Sequence, residues 1–165
     1  MTRAILETCD RTSTTEDVRI EVTQMQASLS DPSCAGIKVW RTSEIDDRRL
    51  VVPLARAELR AWMGPDPALG DAQLIASELV TNAVVHGAGA WVRMTLRTVE
   101  KGGRRYWRLT VTDPGLAAGV PVPRLPLLHE VRGRGLWIVD ELTFGCWGSD
   151  RNAAGERIVW AQLAR

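Results

Sequence analysis

Ser77-Glu78-Leu79-Val80-Thr81-Asn82-Ala83-Val84-Val85-His86-Gly87 is apolar at helical spacing and carries a carboxylate, Glu78, and an amide, Asn82, one turn apart. At roughly 100° per residue, Glu78 and Asn82 fall about 40° apart on one stripe of a helix. Ile75, Ala76, Leu79, Val80 and Ala83 fill the neighbouring arc, so a carboxylate and an amide border a buried face. Half-buried polar groups need partners, and a bound cation with its water shell supplies them. The amide oxygen is a hard donor of the kind Mg²⁺ prefers. The carboxylate one turn earlier is placed to take a proton from a hydroxyl or water beside it. The same spacing also suits a helix edge that is merely solvated, so the pair gains meaning only from what surrounds it.

Asp71 is placed to cap this helix, which runs to His86, with Gly87 as its stop. Upstream, Leu50, Val51, Leu54, Ala57, Ala61 and Trp62 recur at helical spacing from Asp47 to Met63, until Gly64-Pro65 ends the pattern. Ile37 to Arg41 reads as a short strand, and Val18, Ile20 and Val22 alternate as an edge strand would. Downstream, Trp91 to Val99 and Tyr106 to Thr112 read as a hairpin turning at Lys101-Gly102-Gly103. The segment from Pro114 to Arg132 holds four prolines and reads as a long loop. A third helix is predicted over Gly135 to Leu142, then strands near Thr143 to Gly148 and Arg157 to Leu163. Helices segregated from consecutive strands predict an α+β two-layer sandwich, with a mixed, mostly antiparallel sheet and about three helices on one face. Residues 1–35 read as an extension and 36–165 as the folded domain.

Two further segments bear on chemistry. Gly133-Arg134-Gly135 precedes the third helix, where unpaired N–H groups and a positive macrodipole make a phosphate site, although such a glycine pair is equally natural as a hinge. Arg132 and Arg134 are positioned to add charge-assisted contacts. Asp113-Pro114-Gly115 follows the strand ending at Thr112. It reads as a turn, or as a carboxylate accepting from the amino group of a planar base, with Gly115 letting the ring approach the backbone.

E-x-x-x-N on a helix, D-x-G after a strand and G-x-G before a helix, in that order, resemble the GHKL or histidine kinase-like ATPase family, of Bergerat fold. The wording of 77–87, 133–148 and 155–163 is similar to small anti-sigma serine/threonine kinases. The resemblance implies ATP and Mg²⁺ as ligands, Asn82 as metal ligand and Glu78 as base. It also implies Asp113 as reader of adenine, Gly115 as shaper of the base pocket, and residues 116–132 as the lid. Gly133, Arg134, Gly135 and Leu136 would wrap the phosphates together with Arg132. As partners it implies a sigma factor and an antagonist protein phosphorylated on serine or threonine, and a homodimer. A nucleotide-gated binding module without transfer is the alternative. The adenine segments depart from the family pattern: Leu116-Ala117 stands where a second glycine is common, and Glu156-Arg157 follows Gly155 where a threonine is common.

The bulk composition fits this picture. Over 165 residues, 45% are hydrophobic and 25% charged, an ordinary globular balance with one core expected. A net charge of +1 gives no reason to expect nucleic acid or an anionic membrane as partner. Cys9, Cys34 and Cys146 are odd in number and lack a C-x-x-C pair, which argues against zinc and against a disulfide framework and points to a reducing cytosol. No apolar run approaches the ~20 residues that span a bilayer, and no signal peptide is recognisable. Of the seven tryptophans, Trp62, Trp91, Trp107 and Trp160 are predicted to be core; Trp137 and Trp147 are left open, as core or interface.

Overall fold

The computed structural model describes residues 31–45, 47–87, 90–115 and 135–165. Strand alternation sets the architecture. Cys34–Arg41 (β1), Trp91–Lys101 (β2), Arg104–Asp113 (β3), Trp147–Arg151 (β4) and Arg157–Ala164 (β5) form one sheet in the order β1-β2-β3-β5-β4. All four pairings are antiparallel. The β2–β3 hairpin turns on Gly102 and Gly103, with φ of 59° and 75°. A two-residue turn with positive φ at both positions matches the twist of the strands it joins, and only residues without a Cβ adopt it at no cost.

Val51–Met63 (α1), Leu69–His86 (α2) and Gly135–Thr143 (α3) supply the second layer, with two 3₁₀ turns, Thr42–Glu44 and Arg48–Leu50, ahead of α1. This is the predicted α+β sandwich. Alternate strand residues face the helices: Val92, Met94 and Leu96 from β2, Trp107, Leu109 and Val111 from β3, Val159, Ala161 and Leu163 from β5. They meet Ala72, Ile75, Ala76, Leu79, Val80 and Ala83 of α2 and Val139 of α3. The other face of the sheet carries Thr95, Thr110, Thr112, Ile158 and Trp160, with the Arg108 guanidinium 4.4 Å over the Trp160 ring.

The structure corrects several details. The buried stripe of α1 is Val51, Ala55, Leu59 and Met63, at steps of four, whereas Leu54, Ala57 and Ala61 are exposed. Helical periodicity fixes the repeat but not its phase where apolar residues surround the helix. Asp71 lies inside the first turn of α2 rather than capping it, and Asp66 instead accepts the Ala68 N–H at 2.9 Å. The other Asp66 oxygen accepts from Trp107 Nε1, also at 2.9 Å, pinning the α1–α2 connection to β3. Thr143 ends α3 rather than opening a strand, and the chain then turns through Phe144 and Gly145 with positive φ. Trp107 and Trp160 are buried as expected, Trp62 and Trp91 are half-buried, and Trp40 and Trp147 belong to the core. Cys146 is disulfide-bonded, against the expectation from the odd cysteine count, which excludes full pairing but not one bridge. The candidate strand at 18–22 lies outside the described residues. No helix among the described residues is long and apolar enough to cross a membrane.

The phase of α1 is directly testable. Leu59 is fully buried and Leu54 is 44% exposed. Leu59→Ala is expected to cost about 2–5 kcal/mol in urea unfolding, and Leu54→Ala about 0.5 kcal/mol or less.

Candidate functional site

Helix α2 brings Glu78 and Asn82 onto one half-buried edge while its apolar arc is sealed in the core. Helix α3 packs against α2, and its first residue is Gly135. A Cβ added at Gly135 would stand 2.5 Å from Glu78 Oε2, so the carboxylate lies directly against the start of α3. Unpaired helical N–H groups and the positive end of the macrodipole converge there. Burial removes water from Glu78 and raises its pKa above the usual glutamate value. A carboxylate held this way is a stronger proton acceptor than an exposed one.

One turn further on, the Asn82 side-chain amide makes no hydrogen bond among the described residues, while its backbone carbonyl accepts from Arg157 Nη2 at 3.1 Å. The described residues contain no group of three or more His, Cys, Asp or Glu able to hold a metal on their own. Mg²⁺ does not require one: it commonly binds through one or two protein oxygens, substrate phosphates and water. A single unengaged amide oxygen beside a desolvated carboxylate fits that donor set.

Asp113 ends β3 on the helix-facing side and is 1% exposed. Its Oδ1 accepts the Gly115 N–H at 2.9 Å, and its Oδ2 pairs with Arg157 Nε at 2.9 Å and Nη2 at 2.7 Å. Asp113 and Arg157 are cross-strand partners in the β3–β5 register, so the ion pair is built into the sheet. Gly87, after the last turn of α2, packs over the same carboxylate: a Cβ there would lie 3.0 Å from Oδ1. Sequence reasoning noted Arg157 only as a departure from a common threonine. Its signal was in the alternation of β5, where Arg157, Val159, Ala161 and Leu163 share the inward face.

Gly115 has φ of 74°, and the side from which a Cβ would project is filled by the Gly155 carbonyl, the Arg157 backbone N–H and the Arg151 guanidinium. Arg151 Nη1 donates to the carbonyls of both Gly115 and Gly155, a clamp that the sequence did not announce. Leu136 is half-buried against the core, and His86 is exposed at the end of α2. The structure therefore sets Glu78 of α2 against Gly135 of α3, and Asp113 of β3 beside Gly87 and, through Arg157, the Asn82 carbonyl of α2. Arg132, Gly133, Arg134 and the segment 116–132 lie outside the described residues.

Comparison of the sequence with protein families finds that the model of the histidine kinase-like ATPase domain matches residues 42–162. That span holds every candidate site residue. Comparison with curated proteins returns no match.

The environment of Glu78 has a pH signature. Its pKa in the folded chain lies above the unfolded value, so the ionised form penalises folding once pH exceeds the raised value. Below the usual glutamate value of 4.5, both states carry the proton and the penalty is gone. Glu78→Gln is expected to be more stable than the parent at neutral pH, with a difference that shrinks to nothing on acidification. Urea midpoints across the pH range measure this, and a difference independent of pH contradicts it.

Proposed function

The chain belongs to the histidine kinase-like ATPase domain family, whose members bind ATP, generally with Mg²⁺, and from that premise we propose an anti-sigma-type serine/threonine kinase. In this reading the protein binds a sigma factor and, using Mg-ATP, phosphorylates a serine or threonine of an antagonist protein. The carrying observation is the Glu78 carboxylate, desolvated and packed against the first residue of α3 one turn from an unengaged Asn82 amide. A cytoplasmic setting goes with this reading, because ATP and sigma factors meet there.

The chemistry follows from placement. The N-terminus of α3 offers positive potential where a terminal phosphate would rest, and Gly135 leaves no side chain in the way. Asn82 would hold Mg²⁺, which when bound neutralises charge on the phosphate oxygens. Glu78 accepts the proton of the incoming hydroxyl. The hydroxyl oxygen then bonds to the γ-phosphorus as the bond to the β–γ bridging oxygen breaks, and ADP leaves. Most of the acceleration in such a transfer comes from positioning and charge stabilisation, with the base adding its share.

Labelled ATP, the purified chain and antagonist domains encoded near its gene test the proposal. Label is expected on a serine or threonine of an antagonist. Glu78→Ala is expected to lower transfer by about 100-fold or more while Mg-ATP affinity stays within about threefold. If partner regulation survives in Glu78→Ala while no transfer occurs even in the parent, the protein is instead a nucleotide-gated binding module.

A further inference from the structure

The side of the sheet turned away from the helices is shielded, although the described helices all pack on the opposite face. Thr95 of β2, Thr110 and Thr112 of β3, and Ile158 and Trp160 of β5 alternate with the core residues of their strands and point to that outer side, where all five are buried. In a two-layer sandwich this face meets water, and Ile158 and Trp160, at 1% and 4%, would be open. Arg108 stacks over the Trp160 ring, but the arginines of the face are shielded in turn, with the side chains of Arg93 and Arg97 only 17% and 11% exposed. Trp160 Nε1 is buried and makes no hydrogen bond among the described residues, so an acceptor belongs above it.

The chain meets this face at two opposite edges. Asp31, the first described residue, pairs with Arg97 Nη1 at 3.0 Å beside β1 and β2. At the other edge Cys146 precedes β4, its Sγ 3.0 Å from Oε1 of Gln162, a residue that alternates with the inward Ala161 and Leu163. Cys146 is disulfide-bonded, Cys34 is a thiol, and the remaining cysteine of the chain is Cys9. Strands lie about 4.8 Å apart, so the segment 9–31 reaches from β2 to Cys146 even at a helical rise of about 1.5 Å per residue. Residues 1–30 carry five acidic side chains against three basic ones, with Ile5, Leu6, Val18, Ile20 and Val22 among them. That composition complements an Ile158–Trp160 patch bordered by Arg93, Arg97 and Arg108.

We propose that residues 1–30 lie across the outer face of the sheet as its third layer, fastened at one end by the Asp31–Arg97 pair and at the other by a Cys9–Cys146 disulfide. A dithiol reductant opens that bridge: one thiolate attacks a bridge sulfur, the second thiol displaces the mixed disulfide, and the chain is left with two thiols while the reductant becomes a disulfide. The segment is then held by non-covalent contacts alone, so the redox state sets how readily the face is uncovered. None of this depends on nucleotide binding.

Trypsin digestion of the air-oxidised full chain without reductant, mapped by mass spectrometry, reads the fastening directly. The expected result is peptide 4–11 joined to peptide 135–151, in protein that runs as a monomer without reductant. Cys146 found as a thiol, joined to Cys34, or joined to a second copy overturns the proposal. Hydroxyl-radical labelling reads the cover, because tryptic peptide 158–165 holds Trp160 as its one tryptophan and peptide 39–41 holds Trp40 of the helix-side core. In the oxidised chain Trp160 is expected to be labelled as slowly as Trp40, within about threefold, and in Cys9→Ser about threefold or more faster while Trp40 stays unchanged. Trp160 labelled fast in the parent, unchanged by the variant, or rising only in step with Trp40 contradicts the cover. Should Cys9→Ser fail to fold, the peptide map and the labelling of the parent chain decide.

Discussion

A carboxylate half-buried against the start of a helix is the constraint around which the rest of this protein is arranged. Glu78 loses hydration on burial, and its raised pKa records that loss. The first turn of α3 offers partial compensation through its exposed N–H groups and dipole, but only if nothing intervenes. Gly135 leaves that approach open, since a Cβ there would stand 2.5 Å from Oε2 and the Glu78 carboxylate would have to shift. The packing of α3 on α2 is thereby tied to the chemistry of the site.

The second polar centre, at the far end of β3, solves a different problem. Asp113 and Arg157 are buried on the helix-facing side, where an apolar pair would pack without desolvation cost. Their pairing joins β3, β5, the Asn82 carbonyl of α2 and the turn at Gly115. Arg151 draws the same turn toward Gly155. The Glu78 end and the Asp113 end of the candidate site are thus held by different means. The Asn82 side-chain amide is left without a partner among the described residues, whereas Asp113 is engaged at both oxygens by Gly115 and Arg157.

Much of this was legible from residues. The extent of α2 followed from its uninterrupted apolar arc, the β2–β3 turn from two consecutive glycines, and the start of α3 from Gly135. The phase of α1 was not legible, because Leu54 and Ala57 look as apolar as Ala55 and Leu59, and only the sheet beneath selects one face. Asp113 and Arg157 are 44 residues apart, so their pairing becomes visible only once β3 and β5 are in register. Trp147 was left open because its partner, Asp140, which accepts its Nε1–H at 2.7 Å, lies on a different element. Short-range patterns specify elements; contacts across the sheet specify which polar groups remain available to a ligand.

The central claim is that an amide on α2 and the glycine-started α3 together hold a metal-bound nucleotide. Calorimetric titration of ATP into the chain, with and without Mg²⁺ and repeated on Asn82→Ala, addresses it most directly. The account expects saturable binding that requires Mg²⁺ and weakens by about tenfold or more in Asn82→Ala. Binding indifferent to both the metal and the substitution, or no binding at all, would contradict it.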